Sequence, residues 1–253
     1  YDHRSQSMKT FKFLAQLHLV VLLLLLAHTT TSQDDPPKCI VDGVLAAPEA
    51  CAPPDQRPPP IQFTAPSTNP GKDAYVSICT AIKDQHIDIR EWIFYHRAIG
   101  VERFYLIDTG SSPPMQTVLQ DHIDSGLVHY SYDNAVPWRP GTHGPQITIY
   151  ERCIQQHGNR HTWMAFIDAD EFLILRDATV ADLPTLLSEY DDQDTIGGLA
   201  VNWIVFGSSG LLNRPPPGTS TLSNYWKCAP EQHSENQHIK SIVRPLRVAN
   251  TTT

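Results

Sequence analysis

The chain has 253 residues, a length that suits one or two domains, and 41% of them are apolar, enough to supply a hydrophobic core. The formal net charge of −8, with no basic patch along the chain, argues against a nucleic-acid-binding function. Five cysteines are too few for a disulfide scaffold, and their odd number leaves at least one free or paired with another chain.

The N-terminal region has the pattern of a secretory leader. A start at Met8 makes residues 1–7 upstream read-through. Two lysines follow, and then an apolar run from Leu14 to Ala27. Residues 8–30 are therefore predicted to be a signal peptide or an uncleaved signal-anchor, and the charge on either side of the run favours a luminal main domain. The alternative, a buried core helix, is disfavoured by the terminal position and the flanking charge.

Residues 31–73 are predicted to form a stalk, because prolines crowd this stretch and prevent both helices and strand ladders. Cys39 and Cys51 lie within it. In an oxidising lumen these two cysteines can close a small loop, although nothing in the sequence fixes their partners.

Residues 74–253 are predicted to form a folded domain in which apolar runs alternate with amphipathic segments. The predicted strands are 75–80, 103–108, 127–132 and 163–167, followed by apolar runs at 173–175, 199–206 and 239–248. The predicted helices are 87–99, 116–125, 145–157 and 183–190, the first three ended by glycines. This alternation predicts an α/β fold with a mostly parallel central sheet flanked by helices.

One stretch of this domain, Trp163 to Phe172, runs from a buried strand directly into three carboxylates. It reads W-M-A-F-I-D-A-D-E-F. In an extended backbone Asp168 and Asp170 point to the same side, so both are expected to face one small space that a cation would stabilise. The hypothesis is a divalent-metal site that holds a phosphorylated substrate. The alternative is a solvated turn or a helix cap.

Other strand ends carry polar residues that are expected to converge on the same edge of the sheet, namely Lys83, Asp84 and Asp108. A sugar nucleotide needs such a set, with one carboxylate for base or ribose and others for Mn²⁺ or Mg²⁺. For Asp108 a turn-forming role before Gly110 is an equal alternative. The 12 histidines show no zinc-ligand spacing.

Some residues are assigned to the core rather than to chemistry. His96 is expected on a helix face that packs against the core. Cys79 and Cys153 lie in apolar surroundings, either as core thiols or as a disulfide.

Six ordered motifs resemble glycosyltransferase family 92, whose members have a GT-A-type nucleotide-sugar fold. The motifs are I-C-T-A-I-K-D at 78–84, E-W-I-F-Y-H-R-A-I-G-V at 91–101, F-Y-L-I-D at 104–108, the acidic stretch at 163–172, W-I-V-F-G-S-S-G at 203–210 and K-S-I-V-R-P at 240–245. The resemblance implies a galactosyltransferase-like enzyme that takes UDP-galactose as donor, Mn²⁺ or Mg²⁺ as cofactor and a glycan or glycoprotein as acceptor.

The resemblance also assigns roles to residues of this chain. Asp168 and Asp170 become a D-x-D metal motif, with Asp170 as the direct ligand and Asp168 nearer the ribose. The other implied substrate-binding residues are Thr80, Lys83, Asp84, Asp108, Glu171, Trp203, Ser208, Ser209, Lys240 and Arg244. No residue is assigned as the catalytic base. The family continues past the position of Thr253 into a segment with a histidine near an aromatic, so the domain is expected to be truncated here.

The sequence therefore predicts a hexosyltransferase of the Golgi or secretory-pathway membrane, single-pass type II with a luminal catalytic domain, or alternatively a secreted one. A second hypothesis is a non-catalytic, carbohydrate-binding or truncated inactive member of the family. A third, a metal-dependent phosphatase of the haloacid dehalogenase type, is disfavoured because its D-x-D motif belongs on the first strand of the domain. Here three strand–helix units precede the motif.

Overall fold

The structure, a computed structural model, describes residues 19–24, 39–41, 44–46, 72–135 and 144–248. Within these residues the strands are β1 (Leu19–Leu24), β2 (Cys39–Val41), β3 (Val44–Ala46), β4 (Ala74–Ile82), β5 (Arg103–Asp108), β6 (Val128–Tyr132), β7 (His161–Phe166), β8 (Glu171–Leu175), β9 (Gly198–Phe206) and β10 (Ile239–Val243). The helices are α1 (Ile89–Ala98), α2 (Gln116–Asp124), α3 (Gly144–His157), α4 (Leu183–Ser188) and α5 (Thr221–Asn224).

The described strands form one sheet in the order β2-β3-β8-β1-β9-β10-β7-β4-β5-β6. Strands β4 to β7 are mutually parallel, and β10 runs antiparallel between β7 and β9. The mixed α/β class with a mostly parallel central sheet is therefore confirmed. Because β5 and β6 lie on one side of β4 and β7 lies on the other, the strand order reverses between β4 and β7, and ligands of such sheets bind at this reversal.

Strand β9 changes its partners halfway along. Its first half, up to Asn202, pairs with β10, and its second half, from Asn202 to Phe206, pairs with β1. Strand β9 thus joins the central sheet to the strands on its other side, β1, β8, β3 and β2.

Helices cover both faces of the central sheet, which explains the nearly continuous apolar runs of β4 and β7. On one face α1 and α2 contribute Trp92, Ile93 and Leu119 to the larger core, all fully buried. On the other face α3 packs over β4 and is joined to it by a disulfide between Cys79 and Cys153. The disulfide decides between the two alternatives that the sequence left open for these cysteines.

Side chains of α1 reach across the core and bind the backbone of β8. The Trp92 indole N–H donates to the Glu171 carbonyl at 2.7 Å, and the Tyr95 hydroxyl donates to the Leu173 carbonyl at 2.7 Å. The Leu173 N–H donates to His96 Nε2 at 3.2 Å, so the expected core position of His96 is confirmed. These bonds fix the start of β8, and with it the acidic residues that precede it, against α1.

The N-terminal predictions fall mostly outside the described residues. Of the predicted leader, Leu19–Leu24 is described, and it forms β1 in the sheet between β8 and β9. Most of the predicted stalk and the region after residue 248 lie outside the described residues. No helix within the described ranges has the length and apolarity to cross a membrane. The leader and the stalk stay predictions.

Candidate functional site

The three carboxylates after β7 lie in a tight turn, and this turn connects β7 to β8. The Glu171 N–H donates to the Asp168 carbonyl at 3.1 Å, and the Asp168 N–H donates to Glu171 Oε2 at 2.9 Å. Residues 168–171, called the acidic turn below, therefore depart from the extended backbone expected for them. Asp168 contacts Lys240 and Gln146, whereas Asp170 lines a separate cavity, so the turn gives the two side chains different neighbours.

Asp168 and Glu171 share one cation, the ammonium of Lys240 at the start of β10. The Lys240 Nζ lies 2.6 Å from Asp168 Oδ2 and 3.1 Å from Glu171 Oε1. The Glu171 side chain is fully buried and that of Lys240 is only 13% exposed. Lys240 also lies over the ring of Trp203, 5.2 Å from its centroid. The structure thus brings Lys240 and Trp203 to the acidic turn.

The electrostatics of the turn reflect burial and an excess of negative charge. Burial, and then the charge of Asp168, raise the pKa of Glu171 to about 8, with Lys240 acting in the opposite direction. Burial and the charge of Asp168 also raise the pKa of Asp170. Burial alone would lower the pKa of Lys240, but the carboxylates of Glu171 and Asp168 outweigh it and raise that pKa. The raised pKa values of Asp170 and Glu171 show that the turn lacks positive charge, and a further cation would favour the ionised form of both carboxyl groups.

Helix α3 supplies a contact to Asp168 that the sequence did not indicate. The Gln146 side-chain amide donates to Asp168 Oδ1 and lies 2.6 Å from the Tyr150 hydroxyl. Gln146, Tyr150 and Lys240 also line a groove of about 350 Å³ between α3 and β10. No sequence signal singles out a glutamine near a helix start, so only the packing of α3 on the sheet reveals this contact.

Asp170 faces a different space, a cavity of about 180 Å³ between the acidic turn and the N-terminal end of α1. Its carboxylate forms no salt bridge with any residue that the structure describes, whereas both oxygens of Asp168 are engaged. Asp88 and Arg214 line the same cavity and form an ion pair with each other. The sequence did not indicate either residue.

The acidic turn fits a hard divalent cation that takes few ligands from the protein. Among the described residues no group of three or more His, Cys, Asp or Glu side chains is arranged to hold a metal. Mg²⁺-type sites often use one or two carboxylates and complete the coordination with water and substrate phosphates. Asp170 forms no salt bridge with a described residue and is the carboxylate that could serve this purpose, while Asp168 is already bound to Lys240 and Gln146.

The predicted nucleotide-pocket residues do lie at neighbouring strand ends on the edge that carries the acidic turn. Asp84 and Ser112 join the loops that follow β4 and β5, since the Ser112 N–H donates to Asp84 Oδ1 at 3.1 Å. Lys83 is exposed there, and Thr80 is fully buried in β4.

Asp108 stabilises the turn that follows it, as the second interpretation of its sequence position predicted. Its carboxylate accepts hydrogen bonds from the N–H groups of Gly110, Ser111 and Met115 and from the Tyr130 hydroxyl, at 2.8 to 3.2 Å. Burial alone would raise the pKa of Asp108, but these bonds outweigh it and lower that pKa. Asp108 therefore organises the loop after β5.

Ser208 and Ser209 lie in the loop after β9, on the same edge. The Ser209 hydroxyl accepts from the N–H groups of Trp226 and Lys227 at 2.8 and 3.0 Å, so it anchors the returning chain. Ser208 is half-buried beside it.

The structure places one predicted site residue, Arg244, away from the acidic turn. Its guanidinium donates to the Tyr190 carbonyl and to Asp191, and lies over the ring of Trp163. Lys240 and Arg244 are four residues apart on an extended chain, which separates their backbones by roughly 13 Å. The predicted diphosphate contact by Arg244 is therefore corrected to a structural role at the opposite end of β10.

Comparison with known proteins gives one consistent result. The family model for glycosyltransferase family 92 matches residues 72–253. A glycosyltransferase family 92 protein of Oryza sativa subsp. japonica is 32% identical over 171 residues, covering 66% of this chain and 26% of that protein. Similar proteins from Ricinus communis and Arabidopsis thaliana are 30% and 28% identical, each over 174 residues. The chain thus spans about a quarter of the length of the curated relatives it matches.

Proposed function

Since the chain belongs to glycosyltransferase family 92, we propose that it transfers a hexose, galactose from UDP-galactose, to a hydroxyl group of a glycan or glycoprotein. The proposal includes inversion at the transferred carbon and a requirement for Mn²⁺ or Mg²⁺.

The observation that carries the proposal is the position and charge of Asp170. The acidic turn follows β7 at the reversal of strand order, where open α/β sheets bind their ligands. Asp170 is not neutralised by a salt bridge to any described residue, and burial and the charge of Asp168 raise its pKa. A carboxylate in this state gains from a bound cation, and a nucleotide sugar carries the diphosphate that such a cation binds.

The residues around the acidic turn have supporting roles in this proposal. Lys240 and Gln146 hold the Asp168 carboxylate in one orientation from two sides. Trp203 presents an aromatic surface beside Lys240, against which an apolar face of a sugar ring can pack. A divalent cation held by Asp170 would supply positive charge that offsets the charge of the leaving diphosphate.

We place the protein in the secretory pathway as a type II membrane protein with a luminal domain. The predicted leader motivates this proposal, and the buried disulfide between Cys79 and Cys153 supports it, because such bonds form and persist in oxidising compartments.

The test compares Asp170→Asn with Asp192→Asn, which removes the charge of an exposed aspartate in a distant turn. UDP binding is measured by calorimetry with and without Mn²⁺, and sugar transfer is measured with UDP-galactose and other UDP-hexoses. We expect a loss of about 100-fold or more in the Asp170 variant alone, since even indirect metal partners cost 10–100-fold. Equal activity in both variants would refute the metal role, and UDP binding without transfer would favour a carbohydrate-binding member.

A further inference from the structure

Residues 214–225, called the cover segment below, form one wall of the cavity beside Asp170. Glu91 of α1 holds this segment, since its carboxylate accepts from the Ser220 hydroxyl at 2.6 Å and from the Thr221 N–H at 2.7 Å. Arg214, at the other end of the cover segment, pairs with Asp88. The cover segment is therefore attached to α1 at two points.

Asp88 serves this attachment in place of capping its own helix. It occupies the N-cap position of α1, yet its side chain makes no capping hydrogen bond. Its carboxylate is instead bound to Arg214 and lies 3.4 Å from the Thr221 hydroxyl. An N-cap hydrogen bond generally stabilises a helix, so the contact with the cover segment replaces a favourable local interaction.

The size and lining of the cavity describe its ligand. Its volume of about 180 Å³ falls below the roughly 300–1,000 Å³ typical of sites for drug-sized molecules, so it suits one sugar ring rather than a whole nucleotide. Gln85, Thr219 and Thr221 offer amide and hydroxyl groups, while Pro216 and Tyr225 offer apolar surface. The ion pair of Asp88 and Arg214 leaves no free charge on this wall. This combination suits a neutral polyol.

Two of the residues that line the cavity reach solvent. Ile87 at the opening is 52% exposed, and the Arg214 side chain is 51% exposed. A ring bound inside can therefore be the end of a longer chain that continues into solvent, as a glycan acceptor must be. A donor hexose does not need an opening to solvent. Its only large substituent is the nucleotide diphosphate, which is bound at the acidic turn in the proposed function.

We propose that this cavity is the acceptor subsite, which binds one neutral pyranose ring at the end of a glycan, next to the diphosphate site at Asp170. The proposal rests on the glycosyltransferase function proposed above and adds the location and the chemical class of the acceptor.

The experiment fills the cavity opening and leaves the acidic turn unchanged. Ile87→Trp adds bulk at the opening, and Gln85→Leu removes an amide without adding bulk. Phe94→Trp, at a position on α1 that is 74% exposed and does not line the cavity, is the matched control. Binding of methyl β-galactoside, methyl β-glucoside and methyl β-N-acetylglucosaminide to protein preloaded with UDP and Mn²⁺ is measured by saturation-transfer NMR. UDP affinity is measured by calorimetry, and folding by circular dichroism.

We expect at least one pyranoside to bind the wild type and the Phe94 variant, with at least tenfold weaker binding in the Ile87 and Gln85 variants and unchanged UDP affinity. Unchanged pyranoside binding in both cavity variants, or no pyranoside binding to the wild type, would overturn the proposal. A folded Ile87 variant that also loses UDP would assign the cavity to the donor and overturn it as well. Failure of UDP to bind the wild type would instead refute the proposed function.

Discussion

Replacing Lys240 by methionine tests the charges at the acidic turn. The change keeps an unbranched, apolar stem beside Trp203 and removes only the ammonium. Asp168 and Glu171 then lose the cation that lies 2.6 and 3.1 Å from their oxygens. Glu171 cannot turn to solvent, because its side chain is fully buried.

Breaking a buried ion pair by removing one partner typically costs 3–5 kcal/mol. Asp168 is 34% exposed at its side chain, so water screens part of the unpaired charge, and we expect a loss of about 3 kcal/mol in the free energy of unfolding. Adding Glu171→Gln keeps an acceptor for the Asp168 N–H and removes the buried charge. The double variant is therefore expected to recover more than half of the loss.

The measurement is urea-induced unfolding at pH 9, where Glu171, whose pKa is about 8, is ionised in the wild type, followed by circular dichroism and fluorescence. The control is Arg176→Met, which breaks a pair of similar length, 3.1 Å to Glu231, between side chains that are 42% and 64% exposed. Exposed pairs contribute roughly 0–1 kcal/mol, so this variant should lie within that range. A loss of less than about 1 kcal/mol for the Lys240 variant, or no recovery in the double variant, would refute the assignment of Lys240 as the counter-charge.

Three further variants probe other parts of the fold. Burial lowers the pKa of His96 to about 3, although a hydrogen bond with the Trp92 carbonyl opposes the shift. The buried neutral ring therefore contributes folding stability that is fully present above pH 6.5 and is lost as the pH falls toward 3. Between pH 7 and pH 4.5 this amounts to roughly 2–3 kcal/mol, and urea unfolding should show a smaller pH dependence in His96→Leu; an identical dependence would contradict the burial argument. The double variant Cys79→Ala/Cys153→Ala removes a cross-link between residues 74 apart, and the chain-entropy relation gives a loss of about 4 kcal/mol, visible as a lower urea midpoint that reducing agent no longer changes. Arg244→Met should lose about 2–4 kcal/mol of stability and keep its UDP affinity in calorimetry, whereas weakened UDP binding with unchanged stability would restore the diphosphate role.

The elements that were predicted well are those whose signal is local. The strand predicted at 103–108 coincides with β5, and the helices predicted at 116–125 and 145–157 differ from α2 and α3 by one residue at one end. Apolar periodicity and helix-ending glycines depend on residues that are close together in the sequence, so the sequence alone is enough to predict these elements.

The errors at the site come from long-range register. Lys240 and Arg244 are equivalent in the sequence, as two basic residues of one short segment. Their separation follows from the antiparallel pairing of β10 with β7, where Ser241 lies opposite Phe166. That register places Lys240 beside the acidic turn and Arg244 beside Trp163, and no local pattern encodes it.

The contributions of Gln146, Asp88 and Arg214 were missed for a related reason. Each reaches the acidic turn or its cavity from a segment distant in sequence, and Arg214 lies 126 residues from its partner Asp88. The turn geometry of Asp168 and Asp170 was missed because extended alternation was continued past the end of β7.

The hydrogen bonds from α1 to β8 have a consequence for how the protein is made. A short apolar strand with unpaired backbone groups readily pairs with another chain and starts aggregation. Trp92, Tyr95 and His96 occupy three of those groups on β8, and they precede β8 in the chain by 77 to 79 residues. They are therefore already synthesised when β8 emerges, and its backbone can find partners within its own chain. Variants that shorten these side chains should reduce the soluble yield during expression more than their effect on the finished fold would indicate.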